Sequence, residues 1–135
     1  TMDAGTTIVI YDLNRPLLGS PESAIGYSTG TGGTVTQASS KSTGVTLNKR
    51  CGEITMNNAS LAAATTVNFT FTNSTIGSAD VMVLNIANGV STKAAYNLDA
   101  VCSGGSAVIS VRNITAGSLS EAIVLRYVVI KGSVT

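Results

Sequence analysis

The feature that most constrains this chain is a period-two alternation of apolar and polar residues that comes in short runs and never in long ones. Val67, Phe69 and Phe71 alternate with Asn68, Thr70 and Thr72, the pattern of a strand with one buried and one solvated face. Ala107, Ile109 and Val111 repeat it against Ser110 and Arg112, with Val108 on the outer side. Thr6–Tyr11, Thr34–Gln37, Gly44–Asn48, Glu53–Met56 and Ala95–Val101 are further candidates, punctuated by turn signals such as "NNAS", "NGVS" and "SGGS". The one helix-like piece, "NASLAAAT" from Asn58 to Thr65, is too short for a helix and reads as a single turn or a strand connection. Seven to nine short strands at this spacing predict an all-β fold, an antiparallel β-sandwich or a jelly-roll-like barrel. At 135 residues the chain is the size of one compact domain.

Two runs break the alternation. In "DVMVLNIA", Asp80 to Ala87, Val81 and Val83 are apolar on one face while Met82, Leu84 and Ile86 are apolar on the other. In "AIVLRYVVI", Ala122 to Ile130, both faces are apolar except at Arg126. A sheet in a two-layer sandwich has one face to bury in its own core, so the second face calls for a cover, and a subunit interface supplies one. Val124, Arg126, Val128 and Ile130 are the residues expected on it. Arg126, alone among apolar neighbours, must reach a carboxylate, a carbonyl or solvent; Glu121 and Asp99 are the carboxylates expected to meet it.

The glycine-rich stretch "STGTGGTVTQ", Ser28 to Gln37, invites a phosphate-cradle reading that its surroundings reject. A nucleotide-binding loop ends in Gly-Lys-Ser/Thr and opens a helix, whereas Gly33 is followed by a strand-like Thr34-Val35-Thr36-Gln37. Nor do glycines 30, 32 and 33 have the spacing of the dinucleotide fingerprint within a βαβ unit. They read as a turn needing φ > 0 ahead of a strand.

The catalytic inventory is thin. The chain has no His, and its seven carboxylates are spread without clustering, so the commonest general base and metal ligand is missing. Asp80 and Asp99 lack the Asp-x-Asp spacing of a calcium loop, and the two cysteines, Cys51 and Cys102, cannot complete a structural zinc site. A disulfide between them is one possibility and two free thiols the other. No metal, cofactor or enzymatic activity is expected; a small glycosidase or lyase would need a carboxylate pair. Net charge is +1 with eight scattered basic residues, so neither nucleic acid nor a membrane surface is an expected partner, and no apolar run approaches a membrane span. Four Asn-x-Ser/Thr sequons, at Asn58, Asn68, Asn73 and Asn113, read as chance products of a chain rich in these residues.

The segments "GTGGTVTQ", "STGVTLNK", "FTNSTI" and "RNITAGSLSEA" resemble a stretch that recurs in structural proteins of tailed bacteriophages, as a small virion protein or as the C-terminal part of fibre and spike proteins. The resemblance runs from about Gly26 to Gly132. It implies an all-β virion component, assembled as a homotrimer, with no catalytic residues. Residues 1–25 contain no heptad pattern for a fibre stalk and are expected to form an extended arm, with residues 26–135 as the β-sandwich domain. Because Thr1 is small enough to permit removal of an initiator Met, a stand-alone product is expected. The reading is a capsid decoration (cement) protein on the outer surface of the phage head, bound to the major capsid protein through Ile8, Ile10, Tyr11, Leu17 and Leu18. The alternative is a receptor-binding knob of a tail fibre, spike or tail needle.

Overall fold

The computed structural model describes residues 25–135, which carry eight strands and no helix. They are β1 (Thr34–Thr36), β2 (Val45–Thr46), β3 (Cys51–Thr55), β4 (Thr66–Thr72), β5 (Val81–Asn88), β6 (Tyr96–Ser103), β7 (Ser106–Asn113) and β8 (Val124–Ile130). The strand candidate at Thr6–Tyr11 and the five arm residues lie outside the described residues.

The strands form two four-stranded sheets, ordered β1-β3-β8-β5 and β2-β4-β7-β6. Inward-facing residues of both sheets meet in one core: Ile54, Met82, Leu125, Tyr127 and Val129 from the first, Phe69, Phe71, Ile109 and Val111 from the second. The Phe71 and Tyr127 rings meet edge to face at 4.8 Å between centroids, an arrangement that adds to the value of their burial. Tyr127 keeps its hydroxyl satisfied by donating to the Lys49 carbonyl at 2.8 Å.

The all-antiparallel expectation needs correction, because β1 pairs with β3, and β2 with β4, in parallel. The cause is connectivity. From β1 to β6 the chain changes sheet at every step, so one strand of the opposite sheet separates β1 from β3 and β2 from β4, and β8 later enters between β3 and β5, antiparallel to both. Leaving a sheet and coming back after one intervening strand returns the chain in its original direction. The only sequence-adjacent strands that pair are β6 and β7, joined through Gly104 and Gly105 with Gly105 at φ +83°, a two-residue hairpin loop that needs glycine. The "NASLAAAT" segment is a strand connection: Leu61 exchanges backbone hydrogen bonds with Leu119 as an isolated antiparallel bridge.

Two corners of the sandwich are built alike. Where β4 and β7 end and the chain crosses to the first sheet, each has a fully buried asparagine, Asn73 and Asn113. Each Oδ1 accepts from the backbone N–H and the hydroxyl of the threonine two residues on, Thr75 or Thr115. Each Nδ2 donates into another loop, Asn73 to the Lys49 carbonyl and Asn113 to those of Leu61 and Ala62, and Asn113 also donates to the Gly117 carbonyl of its own loop. At these two sites the Asn-x-Thr pattern is therefore structural, not the chance product expected.

Candidate interaction surface

The glycine stretch takes the structural part expected of it. Gly30 sits at φ +90° in the turn before β1, and a side chain on Gly52 would collide with the Gly33 backbone, so glycines let the two chains lie close enough for Glu53 N–H to donate to the Gly33 carbonyl at 2.9 Å. Beyond it lies a feature that sequence reasoning missed. Gln37 and Lys41 are both 3% exposed. Gln37 donates to the Lys41 and Thr43 carbonyls and accepts from Asn57 N–H, while the Lys41 ammonium donates to the carbonyls of Asn57 and Glu121. Burial pushes the Lys41 amine below its usual range, with the Glu121 charge opposing the shift. Only a tertiary loop creates these partners, so a lysine between two serines gives no signal of them.

The expected interface residues are brought together. Leu125, Tyr127 and Val129 enter the core, so Val124, Arg126, Val128 and Ile130 all face outward. Register sets Val81 beside Ile130, Val83 beside Val128 and Asn85 beside Arg126 on one side, and Cys51 beside Val128, Glu53 beside Arg126 and Thr55 beside Val124 on the other. The outer face of the first sheet is thus divided. Its apolar end gathers Val81, Val83, Val128, Ile130 and Cys51; its polar end is centred on Arg126.

Arg126 has a different partner from those expected. Its Nη2 lies 2.8 Å from Glu53 Oε1, and its side chain is 56% exposed. Glu121 is instead engaged by the Ser91 hydroxyl and N–H and by the Tyr96 hydroxyl, which hold its carboxyl below the usual range, while burial, and then the Glu121 carboxylate, push the Tyr96 phenol up. Asp99 faces outward on the second sheet opposite Ser110. The reason is register: strands β3 and β8 place residues 53 and 126 side by side, and no local pattern reveals a pairing at that separation.

The apolar end has a groove. Tyr27 lies against it and donates its hydroxyl to the Val129 carbonyl at 2.6 Å, and with Ile25, Cys51, Val128 and Ile130 it bounds a cavity of about 490 Å³. That Val81, Val83 and β8 have a second apolar face was readable from the doubly apolar runs, but their adjacency comes from register; Tyr27 gave no signal. At the rim, Asp80 accepts from Lys131 Nζ at 2.7 Å, from Gly77 N–H at 2.7 Å and from Gly132 N–H. The Lys131 hydrogen bond, followed by the Gly77 N–H, holds its carboxyl at about 2.

The remaining candidates stay apart. Cys51 is on the outer face of the first sheet and Cys102 points inward from β6 in the second; both are free thiols. Burial, with a smaller push from Asp80, raises the Cys102 thiol. Asp80 and Asp99 do not converge, and no group of three or more His, Cys, Asp or Glu side chains suited to a metal occurs among the described residues. Comparison of the chain with protein-family models, with curated proteins and with solved structures finds no match.

Proposed function

We propose that this chain is a structural protein of a tailed-phage virion, a capsid decoration protein that sits on the outer surface of the head as a homotrimer and contacts the major capsid protein. The observation that carries the reading is the outer face of the β1-β3-β8-β5 sheet, where Val81, Val83 and Ile130 stand 56%, 49% and 51% exposed beside Val128. Contiguous aliphatic residues on an otherwise hydroxyl-rich surface mark a place where another protein surface sits. The sequence resemblance over about Gly26 to Gly132 supplies the virion setting.

The test is to label purified phage particles with an antibody against the sandwich and image them. Even decoration of the head supports the decoration reading. Label confined to the distal end of the tail assigns the chain to a fibre, spike or needle knob, and particles lacking the chain altogether overturn both.

A further inference from the structure

The apolar end of the first sheet is too small to hold an assembly by itself. A patch of this kind offers roughly a few hundred Å² of apolar surface, against the ~800 Å² that each partner contributes to a stable interface. More buried surface has to come from chain outside the sandwich. The described chain begins at the groove itself, with Ile25 87% exposed and Tyr27 hydrogen-bonded across β8. Residues 1–24, which join the fold at Ile25, contain a compact apolar run, Ile8-Val9-Ile10-Tyr11. Between that run and the groove lie Pro16 and Pro21, which cannot donate to a strand ladder and favour extended, unpaired chain. At no more than about 3.3 Å per residue, thirteen residues from Asp12 to Ala24 are enough chain for the run to reach an adjacent subunit.

We propose that Ile8–Tyr11 of one copy lies in the groove of a neighbouring copy, against its Tyr27, Val128 and Ile130, so that the copies of the assembly exchange arms. This rests on the homotrimer reading above. A segment docked in its own groove would cover the apolar face and leave nothing to hold a second copy. Exchange instead adds interface area from residues the chain already has, the low-cost route by which identical elements link protomers. The groove favours such a segment because Val128 and Ile130, two apart on one strand, match the two-residue spacing of Ile8 and Ile10.

Cys51 makes the arrangement testable, because it lines the groove while Cys102 faces the interior. Full-length chains carrying Ile8→Cys, Ile10→Cys or Tyr11→Cys are oxidised with diamide, and the products are sized on non-reducing gels. Scanning three positions allows for register, since a disulfide needs Cα atoms within about 7 Å. The expected result is covalent species of two and three times the chain mass for at least one variant, all lost when Cys51→Ser is added. A disulfide formed only within single chains overturns the exchange, as does the absence of any Cys51-dependent cross-link in all three variants. Antibody labelling of particles is unaffected by these substitutions of principle, so a virion protein without arm exchange is distinguishable from a chain that belongs to no virion.

Discussion

The two outer faces of the sandwich differ in what they ask of their surroundings. On the second sheet, β4 shows Thr66, Asn68, Thr70 and Thr72, β7 shows Val108, Ser110 and Arg112, and β6 shows Asn97, Asp99, Val101 and Ser103. Its only apolar neighbours are Val101 and Val108, directly opposite one another. Hydroxyls and amides dominate, and such a face is content in water. The first sheet carries the same period-two alternation inward but adds Val81, Val83, Val128 and Ile130 outward on two adjacent strands. A shared architecture with one face that water suits and one that it does not separates the residues required for folding from those left for association.

The sharpest way to break the comparison is within β8. Leu125→Ala removes a fully buried side chain and should cost about 2–5 kcal/mol in chemical denaturation, whereas Val128→Ala, on the outer face of the same strand, should cost under about 1 kcal/mol in the isolated chain. Equal losses would show that the outer face is as tightly packed as the core. Next in size is the buried corner: Asn113→Ala strands three carbonyls and a threonine hydroxyl and N–H, for an expected loss of about 2–3 kcal/mol. Asn68→Ala on the hydroxyl-clad face should change stability by no more than about 0.5 kcal/mol.

Charge sharpens the contrast further. In a single chain Arg126→Glu replaces an exposed ion pair with two facing carboxylates and should cost about 1 kcal/mol or less. In a trimer closed over this face the loss should be larger and visible as a fall in molar mass by light scattering, while Lys131→Glu, which instead sets a carboxylate against Asp80, should leave the molar mass unchanged. A trimer intact in Arg126→Glu would place the side chain outside the contact.

The smallest effect is read from pH. Because the Asp80 carboxyl is held at about 2 against an ordinary 3.8, the folded state binds its proton more weakly than the unfolded chain does. Its contribution to stability is therefore present above about pH 4 and lost as pH falls toward 2. Asp80→Asn should flatten that part of the thermal-stability profile, and an unchanged slope would mean that Lys131 and the two N–H groups do not hold the carboxylate.

Much of the fold was legible because alternation is a local property. β4 and β7 carry enough alternating residues for parity to declare which side is inward, whereas β5 and β8, apolar on both faces, declared only that a second face wanted cover. Parallel pairing was not legible, since β1 and β2 have three and two residues, too few for a pattern that could show which way they run. Partners were legible least. Glu53 meets Arg126, and Lys41 meets the carbonyls of residues 57 and 121, only after register and loop closure are fixed across the whole chain.

The place of β8 has a consequence for how the protein is made. The strand nearest the C-terminal end lies in the interior of its sheet, with β3 on one side and β5 on the other, so these two never touch until it arrives. Until residues 124–130 are made, β5 has no partner in its sheet and β3 has only the three-residue β1 on its other edge. Folding of this layer is therefore a late, post-emergence event dominated by contacts distant in sequence, which are slow to form. A nascent chain in that condition offers unpaired edges to every copy being translated nearby.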